Sequence, residues 1–397
     1  MKIERATLQE QNKSQQSELA AFKEHSGVSR QEQLVKIASL SSQVESLQRG
    51  LADKGVLLFD LDNCKKKIEY LEGQYFESEK VRRQLHNTIQ ELKGNVRVMA
   101  RVRPFLSFEN EESKEGTPIA CLDDTNVEIK GVGSKGDEKQ SFVFDHVWDS
   151  YVKQEHVFDE VSQLVQSALD GYNVCLFAYG QTGSGKTYTM QGSMEEEHQG
   201  IIPRAINKVM EACELKKQEG WLFTMKVTFL EIYNENVKDL LKPKSDQQFT
   251  ITRDSDGRTL VRGLHYQSVS LVEEIGDLMA TAMKHRSVSS TLMNEHSSRS
   301  HSVFTLHLEG TNQSRGVMLK GALNLCDLAG SERVKKSGAE GVRLTEAASI
   351  NKSLSALSNV FMKIGSSSAH IPFRDSKLTY LLQVYSNIYI YILFLFM

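Results

Sequence analysis

The chain has 397 residues, 40% hydrophobic and 25% charged, a balance that fits a soluble protein of about two or three domains. Its formal net charge of -3 excludes a generic polyanion binder, so no nucleic-acid partner is expected, while a local basic face stays open. Five scattered cysteines (Cys64, Cys121, Cys175, Cys213, Cys326), never spaced as C-x-x-C, argue for a reducing compartment and against a disulfide framework or a zinc site.

The first residues, MKIERATLQEQ, carry no apolar run of the kind a secretory signal needs. All five prolines lie beyond residue 100, and the first 93 residues are rich in Gln, Glu, Lys, Ser and Leu, which favours long helix. Ile37, Leu40, Val44, Leu47, Leu51, Leu58 and Leu61 follow a 3-4 spacing. Cys64, Ile68, Leu71 and Tyr75 continue it after a three-residue slip, and Leu85, Ile89 and Leu92 resume it. This is a heptad seam with one stammer, longer than the three or so heptads normally asked for, and it predicts a parallel coiled-coil homodimer over residues 1–93. The alternative is one amphipathic helix packed on the rest of the chain. Gly27, Gly50 and Gly55 weaken the helix locally, and residues 1–30 have a poor seam.

Lys93-Gly94-Asn95 reads as a helix stop, and the alternating segment Val96–Val102 as the first strand of a globular domain. A junction this short transmits rotation between the two parts. Strands and helices then alternate. Ser141–Trp148 is a predicted strand, Gln154–Leu169 an amphipathic helix, and Val174–Tyr179 a buried strand. Met225–Tyr233 is a strand, Leu271–Met283 a helix, Val303–Leu308 and Leu319–Leu325 strands, and Gly341–Met362 a long helix. The pattern is that of an α/β fold, a three-layer α/β/α domain around a mostly buried sheet. Residues 131–140 and 191–199 read as polar surface insertions.

The strand at Val174 runs into Gly180-Gln181-Thr182-Gly183-Ser184-Gly185-Lys186-Thr187, which fits G-x-x-x-x-G-K-[ST]. A polyphosphate needs several inward-pointing backbone N–H groups, and a Gly-rich turn lets the backbone wrap that closely. A following helix adds the positive end of its dipole. Lys186 is placed to reach the β- and γ-phosphates of ATP, and the Thr187 hydroxyl to ligate Mg²⁺. The strand before and the helix after separate this match from a chance one in a loop. Two later stretches fit the same machinery: Asn294-Glu-His-Ser-Ser-Arg-Ser-His301, and Asp327-Leu-Ala-Gly-Ser-Glu332 directly after an apolar strand. An Asp there is where a P-loop enzyme keeps its metal-side carboxylate, and Gly330 lets a backbone N–H approach a γ-phosphate. Alone each could be a polar turn. Together and in this order they are specific.

At these motifs the sequence resembles the kinesin motor domain, from about residue 95 to Gln383. Arg101-Val-Arg-Pro104, GQTGSGKTYTM, NEHSSRSH, DLAGSE and HIPFRDSKLT carry the likeness. The resemblance implies a P-loop ATPase that acts on microtubules. It implies that Arg101, Pro104 and Tyr188 flank the adenine, with Arg103 also at the nucleotide. The loop Gly180 to Thr187 would cradle the nucleotide, its part from Gly183 on holding phosphates and Mg²⁺. Ser297 and Ser298 would sit at the γ-phosphate, Ser298 on the metal side. Asp327 would hold a metal-bound water and Gly330 sense the γ-phosphate. Arg299 and Glu332 would form an ion pair that closes the site and relays a proton. The neck QLHNTIQELKGNVRV, placed ahead of the first strand, resembles the C-terminal-motor, minus-end-directed kinesins, with Met99 and Ala100 where Phe-Cys is common. Both residues are apolar, so repacking is expected there.

Tubulin's surface is acidic, and the resemblance places the contact at Lys335, Lys336, Arg343, Lys352, Arg374 and Lys377. The expected location is cytoplasmic, on microtubules, with the spindle one candidate. After Gln383 the likeness stops. The segment 384–397 lacks the family's Gly-rich turn, last strand and last helix, so the expectation is a motor domain over 94–383 left incomplete, as in a truncated product. The tail is too short to span a bilayer and no membrane partner is expected. Its Ile388-Tyr389-Ile390-Tyr391-Ile392 run is strongly β-forming. It either fills the vacant interior slot or forms an aggregation-prone end. Three functions compete: a dimeric ATP-driven motor; a non-hydrolysing coiled-coil partner of full-length relatives; and another P-loop ATPase such as an actin motor, against which RDSKLT and the neck argue.

Overall fold

The computed structural model describes residues 30–94, 96–106, 109, 119–130, 139–193, 195–243, 248–253, 259–288, 298–332, 342–366, 368, 370–383 and 388–396. For 30–37, 51–53, 55–56, 342–345, 347 and 388–396 the description is of the backbone. The chain forms two units, 1–85 and 86–397.

Helix α1 runs from Arg30 to Leu92, 63 residues without a break at Gly50 or Gly55. The first 29 residues of the expected coil lie outside the described ones. In the first unit the seam residues Leu61, Ile68, Leu71 and Tyr75 are exposed, as is Cys64. The last turns of α1, from His86 on, belong to the second unit and are fixed there. Gly94 stops the helix with φ +97°, a conformation that favours glycine. Strand β1 (Val96–Val102) follows. Arg97 of β1 turns back and donates from Nη2 to the backbone oxygen of Gln90 at 3.0 Å and to its Oε1 at 2.8 Å. His86 Nε2 meets Ser167 Oγ at 3.0 Å. These contacts hold the last turns of α1 against β1 and α2 within the second unit.

Next come β2 (Ile119–Cys121), β3 (Asn126–Lys130), β4 (Lys139–Val143), β5 (His146–Trp148), α2 (Gln154–Leu169), β6 (Asn173–Gly180), α3 (Lys186–Met190), α4 (Ile201–Lys217), β7 (Trp221–Tyr233) and β8 (Asn236–Asp239). They are followed by β9 (Thr250–Arg253), β10 (Thr259–Arg262), β11 (Gln267–Val269), α5 (Val272–Val288), β12 (His301–Asn312), β13 (Val317–Asp327), α6 (Val342–Gly365), α7 (Lys377–Leu381) and β14 (Ile388–Phe396). The strand expected over Ser141–Trp148 is two strands in two sheets. Asp145 breaks it, exchanging hydrogen bonds with Val98: its backbone N–H donates to Val98 O at 2.8 Å, and its carboxylate accepts from Val98 N at 2.6 Å.

The main sheet has the order β11-β7-β12-β13-β6-β14-β1-β5, with β8 beside β7. The β7, β12 and β13 part is antiparallel, and β13, β6, β14, β1 and β5 run parallel. Side chains along β6 alternate between two cores, as a pleat requires. Val174, Leu176 and Ala178 pack with α2, α4 and α5 residues such as Val161, Ile202 and Ile275. Cys175 and Phe177 pack with Leu354 and Leu357 of α6 and Leu378 of α7. Helices thus cover both faces, as the alternating elements predict.

The tail takes the interior slot. Strand β14 pairs in parallel with β1, from Val96 opposite Ile390 to Val102 opposite Phe396, and with β6, from Asn173 opposite Ile388 to Gly180 opposite Leu395. Interior strands of parallel sheets read as near-continuous apolar runs, and the sequence IYIYILFLF is such a run. The last strand, expected to be missing, is replaced by a segment outside the family pattern. Among the described residues no helix is long and apolar enough to cross a membrane. Deleting residues 388–397 leaves β1 and β6 each with an open interior edge, so we expect the cooperative thermal transition of the 86–397 unit to vanish; a sharp transition kept by the deletion variant in calorimetry would contradict the interior pairing.

Candidate nucleotide site

The site is built where β6 ends. Its turn needs glycines at two places, Gly183 with φ +81° and Gly185 with φ +94°. Lys186 opens α3 and is 7% exposed. Its ammonium donates to the carbonyl oxygens of Gly180 at 3.1 Å and Gln181 at 2.8 Å. Burial pulls its pKa down, and the carboxylates of Asp327 and Glu332 act against that fall.

Two other loops converge on this turn. Thr187 Oγ1 donates to Asp327 Oδ2 at 2.8 Å, while Asp327 Oδ1 is buried with no hydrogen-bond partner among the described residues. Gly330 N–H donates to the Ser298 carbonyl at 2.8 Å, and Ser331 N–H to Gly180 O at 3.1 Å. Thr182 gives Glu332 two bonds, N–H to Oε2 at 2.9 Å and Oγ1 to Oε1 at 2.5 Å. A Cβ on Gly330 would collide with Glu332 Oε2 and Thr182 Oγ1, so a larger residue there would displace the Glu332–Thr182 contact. Burial alone would push the Glu332 carboxyl up, but its hydrogen bonds, chiefly from Thr182, outweigh this and hold it below the usual range.

One expected contact is not formed. Arg299 does not pair with Glu332; its Nη1 reaches Glu346 Oε2 on α6 at 3.2 Å. Glu346 is also hydrogen-bonded by Tyr233, which raises the Tyr233 pKa. Each carboxylate has donors closer at hand than the pairing the resemblance implies: two from Thr182 for Glu332, and Arg299 with Tyr233 for Glu346. Ser297 lies outside the described residues.

On the other flank Arg101 is buried and fully used. Its Nη1 donates to Gln154 Oε1 at 2.7 Å and Thr189 Oγ1 at 2.9 Å, and its Nη2 to Val152 O at 3.3 Å. Its guanidinium lies 5.8 Å from the centre of the half-exposed Tyr188 ring. Arg101 therefore clamps β1 to α2 and α3 and supports Tyr188 from below, rather than presenting a free face of its own. The Tyr188 hydroxyl meets His198 Nδ1 at 3.1 Å. Pro104 is exposed. Arg103 pairs with Glu109 and lies beside Gly185, with Nε and Nη1 buried and without partners among the described residues. Ser184 Oγ is in the same condition.

Two members escaped the sequence reading. Arg286 on α5, 4% exposed, has Nε 3.5 Å from Glu231 Oε1 and Nη1 3.5 Å from Asp327 Oδ2. Glu231 of β7 has no exposed surface. The signal was there: Ile275, Met279, Ala282 and Arg286 fall on one helical face at 4-3-4 spacing, and Glu231 interrupts an apolar strand run. A charge inside an apolar pattern demands a buried partner.

Of the basic residues expected to face a filament, Lys352 is exposed on α6 and Arg374 is exposed over the Tyr380 ring at 5.6 Å. Lys377 opens α7, its backbone N–H held by Glu235 Oε2 at 2.9 Å. Lys335 and Lys336 lie outside the described residues, as does the side chain of Arg343.

A parallel strand, a glycine turn with a buried lysine, a helix, and an aspartate ending the neighbouring parallel strand define a P-loop nucleotide-binding domain of the α/β/α type. The family profile described as Kinesin motor domain matches residues 101–386, and the chain belongs to that family. Its relatives include Kinesin-like protein KIN-14D of Arabidopsis thaliana, 48% identical over 328 residues, 79% of this chain and 41% of the relative. Carboxy-terminal kinesin 2 of Xenopus laevis is 46% identical over 318 residues, 76% of this chain and 49% of the relative. The chain thus spans less than half the length of these relatives. The solved C-terminal motor and motor homology domain of Kar3Vik1, fused to a synthetic heterodimeric coiled coil, is 38% identical with a TM-score of 0.78, covering 90% of this chain and 94% of that one. The neck resemblance and these relatives agree on the C-terminal-motor group.

Arg286→Met removes the guanidinium beside the buried Glu231 and Asp327 carboxylates. We expect a destabilisation of about 3–5 kcal/mol in urea unfolding, the usual size for breaking a buried pair; a loss under about 1 kcal/mol would show the pair to be incidental.

Proposed function

We propose that the chain is an ATP-dependent microtubule motor, a P-loop NTP hydrolase stimulated by its filament. The mutual hydrogen bonding of three separated loops beside Lys186 is the observation that carries this reading. Lys186 supplies charge to the β- and γ-phosphates, and the loop N–H groups from Gly183 to Thr187 orient them. Tyr188, propped by Arg101, and Pro104 flank the adenine, and Arg103 has buried N–H groups still to satisfy. Magnesium, when bound, supplies neutralising charge at the phosphates. Thr187, Ser298 and Asp327 are the residues that would hold it or its waters, and the unpartnered Asp327 Oδ1 fits that role. Ser297 and Ser298 position the attacking water, and Gly330 reports the γ-phosphate through its N–H. Closure requires Glu332 to leave Thr182 for Arg299, which in turn leaves Glu346, so the Thr182 hydrogen bonds and the Arg299–Glu346 ion pair are given up together for one new ion pair.

We further propose that Lys335, Lys336, Arg343, Lys352, Arg374 and Lys377 meet the acidic surface of tubulin, which would place the protein on cytoplasmic microtubules. The exposed seam of α1 supports a parallel homodimer, in which those apolar residues leave water. A neck helix ahead of β1, bound to it through Arg97 and Gln90, favours minus-end-directed movement. The interior place of β14 favours an active chain over a non-hydrolysing partner, because it closes the sheet on which the phosphate loop stands.

Lys186→Ala should weaken ADP binding by about 2–3 kcal/mol, roughly 30- to 150-fold, and abolish microtubule-stimulated turnover. Glu332→Ala should leave ADP affinity within about threefold while stopping turnover. Equal, near-zero rates in the parent and Lys186→Ala would instead favour the non-hydrolysing partner. On polarity-marked microtubules the parent should glide filaments with their plus ends leading; the opposite polarity would overturn the direction.

A further inference from the structure

The loop from Asp327 to Glu332 and the helix α6 are joined by one side chain that none of the motif roles uses. His301 opens β12 and is 3% exposed. Its Nδ1 accepts the backbone N–H of Ala329 at 3.1 Å. Because Nδ1 accepts, the ring proton sits on Nε2, which meets Ser353 Oγ of α6 at 2.8 Å as donor. The Ser353 hydroxyl then donates to the Ile350 carbonyl one turn back, also at 2.8 Å. Every donor in this line has its acceptor, so the direction of each bond is set. The next residue along from Ala329 is Gly330, whose N–H is given to Ser298 O. Two consecutive amides of one loop are thus bound by residues only three apart, Ser298 and His301.

We infer that His301 is a positioning residue that carries the state of the Gly330 loop to α6, through the rigid imidazole bridge from the Ala329 amide to the Ser353 hydroxyl. It touches neither phosphate nor filament. The Ala329 and Gly330 N–H groups lie in successive peptide planes joined at the Ala329 Cα, and each is held by its own acceptor, so a shift of Gly330 is passed to the Ala329 amide one residue away. The imidazole is planar and closely packed, so it transmits the displacement instead of absorbing it. Its far end grips the buried face of α6, where Ser353 is 2% exposed between Leu354 and Leu357. Breaking either end leaves a buried polar atom without a partner, so the line is held or re-formed as a unit. Arg299, which pairs with Glu346 near the start of α6, gives a second tie from the same segment to the same helix. Only the His301 tie reaches the loop of Gly330 as well.

The inference rests on the motor reading for its purpose but not for its test. Amide hydrogen exchange of α6 is followed in the whole chain with magnesium and either ADP or a non-hydrolysable ATP analogue, beside microtubule co-pelleting in the same states. We expect the exchange of residues 350–360 to differ between nucleotides in the parent. Ser353→Ala should bind ADP within about twofold of the parent while losing at least about four-fifths of that difference. His301→Asn keeps an acceptor for Ala329 but lacks the reach to Ser353, and should behave as Ser353→Ala does. Ser353→Cys, which keeps a weaker acceptor, should restore part of the response and covers the case of an unstable alanine variant. A full nucleotide-dependent difference in both Ser353→Ala and His301→Asn would overturn the inference, as would a parent whose α6 exchange ignores the nucleotide. A parent whose α6 responds while its microtubule affinity does not would sink the motor reading and leave the bridge standing.

Discussion

Parallel pairing of β13 with β6, with Asp327 opposite Ala178, is the constraint from which the site follows. The two strands point the same way and end within two residues of each other, so the turns that leave them emerge side by side at one edge of the sheet. Loops at the carboxyl ends of parallel strands are where α/β domains place ligands. Antiparallel pairing of β12 with β13, with Ser302 opposite Asp327, brings the start of β12 to the same edge from the other direction. Residues separated by more than a hundred positions, Thr187 and Asp327 or Thr182 and Glu332, become hydrogen-bond partners because the strand registers agree. A slip of one residue in any of them would turn each side chain to the opposite face.

That edge is also where charge is concentrated in a setting with little water. Lys186, Asp327, Arg286 and Glu231 are all under a tenth exposed. An isolated charge there would be expensive, and the arrangement is tolerable only because cations and carboxylates alternate. Such a network has discrete arrangements rather than a continuum, since each ion must keep a partner. Glu332 on Thr182 and Arg299 on Glu346 form one arrangement. The exchange proposed for closure is another. Contacts from Arg299 to Glu346 and from His301 to Ser353 join α6 to this edge.

The interior position of β14 shows how little sequence identity a central strand needs. What the slot requires is a run of β-forming residues able to pair in parallel on both sides and to be covered on both faces. Ile388–Phe396 meets that requirement although it follows a segment where the kinesin pattern has ended. The pairing is made by backbone groups, which are the same in every residue other than proline, and the tail has none. The two neighbouring strands supply the register.

Local chemistry was readable from the residues alone. The glycine turn, the helix stop at Gly94, the α2 boundaries, the buried β6 strand and the order of the three motifs all depend on neighbours within a few positions, where backbone sterics and side-chain periodicity act directly. The partners of ionised groups were not readable in this way. Arg101 as an internal clamp, Arg299 on Glu346, Glu332 on Thr182 and the Arg286–Glu231 pair each depend on which donors lie nearest once distant strands are in register. So does the choice between the two places the sequence left open for the tail, the vacant interior slot and a free end. Propensity is set along the chain. Pairing is set across the sheet, and only the folded sheet brings those distant groups within hydrogen-bonding distance.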